Sequence, residues 1–103
     1  MEYESNNEFR AMYAAVDGFR FTSLDKLRLL IDELDIRSTR IKDTDREWYR
    51  SFREPWEALE EVYAVMVDRD ISTPDEAFGK VIANAVDKLK TILTVPGSSA
   101  SEN

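Results

Sequence analysis

Apolar residues recur three or four positions apart along almost the whole chain, and no stretch alternates with period two for long enough to make a strand. That spacing gathers apolar side chains on one face of a helix, and such a face must be covered by another element. The chain is therefore expected to be all-α, a bundle of three to four helices with one long helix. At 103 residues there is room for one domain, because domains ordinarily run to about 100–200 residues. Residues 1–95 are expected to form it. Residues 96–103, Pro-Gly-Ser-Ser-Ala-Ser-Glu-Asn, are small and polar, with little to bury, and are expected to be a disordered tail.

Caps and punctuation divide the pattern. Ser5 with Glu8 has the spacing of a capping box, and Phe9, Met12, Tyr13 and Val16 follow as one stripe. Gly18 suits a left-handed residue past the helix end. Thr22 or Ser23 caps a second helix, whose stripe of Leu24, Leu27, Ile31, Leu34 and Ile41 continues in heptad phase to Trp48 and Phe52. Ser38 and Asp45 are its polar exceptions. The unbroken phase favours one long helix over 24–53. The competing break near 43 rests on Thr44 with Glu47, another capping box. Pro55 is expected to break or kink the helix and to open a third one reaching about Arg69, with Trp56, Leu59, Val62, Tyr63, Met66 and Val67 inward. For the last helix, Thr73 is expected at the N-cap, with Pro74, Asp75 and Glu76 in the first turn. Its stripe is Phe78, Ile82, Ala85, Leu89 and Ile92, and Pro96-Gly97 is expected to end it.

Composition removes whole classes of function. The chain has no Cys and no His, so disulfide scaffolds, zinc fingers and Ser-His or Cys-His catalysis are out. Three glycines provide no phosphate-cradling loop. No apolar run approaches the ~20 residues of a membrane span, and the first twenty residues lack the basic and apolar regions of a signal peptide. A cytoplasmic protein that meets no membrane is expected. The net charge of −7 argues against nucleic acid as a partner, because phosphate neutralisation dominates such binding.

Charge is sorted along the chain. Residues 37–53 hold six bases (Arg37, Arg40, Lys42, Arg46, Arg50, Arg53) against three acids, whereas residues 54–61 hold Glu54, Glu57, Glu60 and Glu61 and no base. On a helix, Arg46, Arg50 and Arg53 share one face and Trp48 and Phe52 the opposite one. The plain reading is a solvated face. The sharper one is self-complementarity, with the basic stretch of one subunit meeting the acidic stretch of another.

Glu57, Glu60 and Glu61 form a cluster in which Glu57 and Glu60, or Glu57 and Glu61, could share an oxygen-rich Mg²⁺ site. The cluster resembles the acidic motif of all-α nucleoside-triphosphate pyrophosphohydrolases, although their second acidic motif is matched only by Asn84 and Asp87. Residues Leu24-Asp25-Lys26-Leu27-Arg28-Leu29-Leu30-Ile31-Asp32-Glu33-Leu34-Asp35 resemble the opening L-x-x-L-R-x-x-I-D-x-I-D of all-α chorismate mutases. That resemblance implies that Arg28 holds a substrate carboxylate. The family's second basic residue on this helix aligns with Asp45, with Arg46 beside it.

An overlong helix would leave Ile41, Trp48 and Phe52 uncovered, and exposed apolar surface of that kind marks a partner site. The expected function is thus a small acidic interaction module without catalytic activity, metal or cofactor, assembled as a homodimer. Its candidate interface residues are Trp48, Phe52, Arg46, Arg50, Arg53, Glu54, Glu57 and Glu61. Two alternatives stand beside it: an immunity- or inhibitor-type acidic protein that blocks a partner with a basic surface, and a helical enzyme of the mutase or pyrophosphohydrolase kind.

Overall fold

A computed structural model describes the backbone of residues 2–102 and the side chains of residues 7–93. The described residues form four helices: α1 (Glu2–Asp17), α2 (Leu24–Ile41), α3 (Arg46–Asp68) and α4 (Glu76–Glu102). Each packs on the next, and α4 packs on α1, which closes a ring. Contacts of Glu8 with Arg37 and Arg40, and of Trp56 with Ile31, show that α1, α2 and α3 run alternately up and down.

The expected long helix is two helices. Backbone N–H groups of Thr44 and Asp45 both donate to the Ile41 carbonyl, at 2.9 and 3.0 Å, and close a turn. Asp45 then caps α3, its carboxylate accepting from Trp48 N at 3.0 Å. The cap is therefore Asp45 and not Thr44. Heptad phase crosses the turn because both helices point their stripes into the same core, so phase cannot distinguish one helix from two packed together. Folding back also covers the apolar end. Ile41 and Phe52 are fully buried and Trp48 nearly so, with Trp48 edge-on to Phe9 of α1 and stacked on Phe52, both at 5.0 Å.

Pro55 neither ends nor starts a helix. It is buried inside α3. A proline there costs on the order of 3 kcal/mol, which core burial of Phe52, Trp56 and Leu59 on its two sides offsets. Trp56 is anchored further by donating its indole N–H to the Ile31 carbonyl, 3.0 Å away.

Other ends also differ from expectation. α1 starts at Glu2, so Ser5 lies within it, and Glu8 reaches across to α2 instead of closing a capping box. Gly18 does not take a positive φ; the left-handed residue is Asp70, at φ 57°. Asp70 ends α3 in a Schellman motif: Ile71 N donates to Met66 O at 2.8 Å and Asp70 N to Val67 O at 3.1 Å. Ser23 caps α2, accepting from Lys26 N. α4 begins at Glu76 behind Asp75, whose Oδ1 accepts from Phe78 N at 2.9 Å. Thr73 and Pro74 precede the helix, because a carboxylate one residue from the first turn supplies the capping oxygen. The backbone of α4 stays helical past Pro96-Gly97. Side chains from 94 onward lie outside the described residues, so of the expected tail only the backbone to Glu102 is described.

The core draws on all four helices: Met12 and Val16, then Leu27, Leu30, Ile31 and Leu34, then Leu59, Val62 and Met66, then Ile82, Ala85, Leu89 and Leu93, around Trp48, Phe52 and Trp56. Ser38 is the single buried polar residue among those described, its hydroxyl donating to the Asp35 carbonyl at 3.2 Å. Val67, expected inward, is 51% exposed. It lies one residue beyond Met66, on the rim of α3 rather than its inner face.

Candidate functional site

α3 carries two faces. Its inner face is the Phe52–Met66 stripe. Its outer face holds Glu57, Glu60, Glu61, Ala64 and Asp68, at spacings of three and four, all exposed. Where this face meets the second turn of α2, Arg28 joins it with Tyr63 and Val67 of α3 around an open groove of about 700 Å³. The groove has a partly apolar floor of Tyr63, Ala64 and Val67 and four carboxylates along its wall.

Arg28 is the cation of this groove. Its guanidinium lies 5.4 Å from the centre of the Tyr63 ring and pairs with Asp32 at 3.2 Å. Ring face and carboxylate together hold it against the wall, so the groove stays strongly negative. No group of three or more carboxylates among the described residues is gathered closely enough to hold a metal ion. The E-x-x-E-E cluster instead spreads along the helix as separate anionic sites.

The predicted interface residues fall into four sets. Trp48 and Phe52 are buried in the core and offer no surface. Arg53 is tied down within α3: it donates to Glu57 at 3.1 Å and lies 4.3 Å over the Trp56 ring. Arg46, Arg50 and Glu54 are exposed. Glu57 and Glu61 belong to the acidic groove. The turn at 42–45 divides the basic stretch between α2 and α3, and Lys42 and Arg53 meet over the Tyr49 ring, at 5.5 and 5.8 Å from its centre. Arg37 and Arg40 are engaged by Glu8 of α1, both at 3.0 Å, and Arg37 also by Glu33 at 2.9 Å. Burial raises the Glu8 carboxyl pKa, but hydrogen bonds from Arg40 and Arg37 outweigh it and hold it below the ordinary value. The same carboxylates raise Arg37 above its usual range, with Glu33 the larger influence.

Two parts of this arrangement are absent from the sequence expectations. The clamp on Glu8 depends on the register of α1 against α2, which no local signal carries. Asp68 is different: Glu57, Glu61, Ala64 and Asp68 are spaced for one helix face, and extending the acidic face that far was possible from the sequence. No family model matches this chain, and no curated protein or solved structure matches it either.

Proposed function

We propose that the protein is a binding module, not an enzyme, and that its groove between α2 and α3 receives a partner segment carrying Lys or Arg. The observation that carries this reading is the composition of the groove. Four carboxylates, Glu57, Glu60, Glu61 and Asp68, surround a floor that contains the exposed Val67. A basic amphipathic segment would set its cations against the wall and its apolar residues on the floor. The net charge of −7 would steer the encounter, as expected for an acidic protein that masks a basic target. A chorismate-mutase-like reaction needs several cations converging on a dianion. Here Arg28 is paired to Asp32 and faces carboxylates, which favours binding over that chemistry.

The test is fluorescence polarisation with a labelled amphipathic peptide rich in Lys and Arg, read against Glu61→Lys and a charge-matched control, Asp87→Lys on α4. Binding should weaken at least tenfold in Glu61→Lys, remain near wild type in Asp87→Lys, and fall as salt rises. Equal losses in both variants would reduce the interaction to bulk charge and sink the assignment of the groove.

A further inference from the structure

The outer face of α2 carries a second feature that the acidic groove does not use. Leu29 and Ile36 are 64% and 56% exposed, and two helical turns bring them onto one line. That line continues to exposed residues at both ends, Asp25 in the first turn and Arg40 in the last, with Asp32 and Glu33 at its middle. Its order is acid, apolar, acid, apolar, base. Leu29 lies between two hollows: one of about 320 Å³, shared with Ala15, Gly18 and Phe19, and one of about 480 Å³, shared with Ile36, Arg37 and Arg40.

We infer that this face docks against the same face of a second copy of the chain, with the two α2 helices antiparallel about a two-fold axis near Asp32 and Glu33. The pattern is self-complementary in that arrangement only. Reversing the helix about residues 32 and 33 sets Leu29 opposite the partner's Ile36 and Asp25 opposite the partner's Arg40, each twice. A parallel pairing would set Arg40 against Arg40 and Asp25 against Asp25. The carboxylates nearest the axis are already compensated within their own chain, Asp32 by Arg28 at 3.2 Å and Glu33 by Arg37 at 2.9 Å, which reduces their repulsion across it. Arg40 engages Glu8 through one nitrogen, and a guanidinium carries five N–H donors, so it can serve both partners. The hollows beside Leu29 and Ile36 give the partner's apolar side chains somewhere to seat. A two-fold association is thus retained from the sequence reading, but on α2 rather than on Trp48 and Phe52, and it does not depend on the acidic groove.

An 18-residue helix is about 27 Å long, and one such face falls well short of the ~800 Å² per partner of a standard stable interface. The dimer is accordingly weak, with a dissociation constant on the order of 100 μM. Sedimentation velocity from about 10 μM to about 1 mM, a range that brackets that constant, should show an 11.9 kDa monomer giving way to a species of twice that mass. Leu29→Lys alone and Ile36→Glu alone should each weaken association at least tenfold. Both side chains point to solvent, so circular dichroism melts near wild type would confirm that each variant folds. Mixing the two variants should restore association, because the antiparallel register sets Lys at 29 against Glu at 36 once and leaves the native Ile36–Leu29 contact once. A monomer at 1 mM, or association indifferent to both substitutions, would overturn the proposal. Failure of the mixture to associate would overturn the antiparallel register.

Discussion

The two tryptophans provide a matched pair for testing how the core is held. Both are nearly buried, at 8% exposure for Trp48 and 5% for Trp56. The Trp56 indole N–H donates to the Ile31 carbonyl at 3.0 Å. The Trp48 indole N–H is buried without a partner. Replacing either by Phe removes a similar amount of apolar ring and leaves a similar void, roughly 1–2 kcal/mol at the usual value per buried carbon. At Trp56 the change also deletes a hydrogen bond, a further ~0.5–1.5 kcal/mol. At Trp48 it removes an unsatisfied donor whose burial costs about 1–3 kcal/mol, so that relief offsets the loss of volume. The phenyl ring would keep the Phe9 and Phe52 packing on either side. Trp56→Phe should therefore destabilise by about 2–3 kcal/mol and Trp48→Phe by no more than ~1 kcal/mol. Urea denaturation followed by far-ultraviolet circular dichroism reads the difference without relying on tryptophan emission, provided the denaturant slopes agree. A Trp48→Phe variant as damaged as Trp56→Phe, or more so, would refute the reasoning.

Three further outcomes are expected. Asp70→Gly should stabilise the protein by roughly 0.5–1 kcal/mol, because glycine adopts the left-handed geometry at φ 57° without the Cβ penalty; a loss of stability would mean that the Asp70 side chain is needed there. In chemical denaturation, Asp75→Ala should cost about 1 kcal/mol through the lost cap of α4 while Thr73→Ala stays within ~0.5 kcal/mol, and the reverse order would restore Thr73 as the cap. Because the folded Glu8 carboxyl titrates below its ordinary 4.5, the folded state binds fewer protons there than the unfolded state. Its contribution is present above that value and lost as pH falls below it, so Glu8→Gln should flatten the acid limb of a stability-against-pH curve measured between pH 6 and 3.

Helix content and the inward stripes were legible because both depend on spacing alone. Met12 and Val16, Leu27, Ile31 and Leu34, and Leu59, Val62 and Met66 are buried as the three-and-four pattern requires. Element boundaries were less so, because capping residues were in excess. Thr44 competed with Asp45, and Thr73 with Asp75, and the winner depended on where the neighbouring helix had to turn to bury its stripe. Pro55 shows the same precedence: packing on either side outweighs a local breaker. The groove was half legible. Glu57, Glu60 and Glu61 stand together in the sequence with Tyr63 one turn on, but Arg28 joins them only through the pairing of α2 with α3. The exposed pair was half legible too: Leu29 stands in the apolar run Leu29-Leu30-Ile31 and Ile36 between Asp35 and Arg37, and both fall off the inner stripe of Leu24, Leu27, Ile31, Leu34 and Ile41, but the hollows beside them form only once the helices pack.

The closing contact of the ring joins the first helix to the last, where Lys90 of α4 pairs with Asp17 of α1 at 3.2 Å. Contacts between consecutive helices are local and form quickly, whereas this one must close a loop of about seventy residues and meets its entropic cost late. On a ribosome, α1, α2 and α3 would emerge and pair while α4 was still inside the exit tunnel, leaving Met12 and Val16 without part of their cover. Folding of the nascent chain should then complete in one late step, when the last helix clears the exit tunnel and docks on the first.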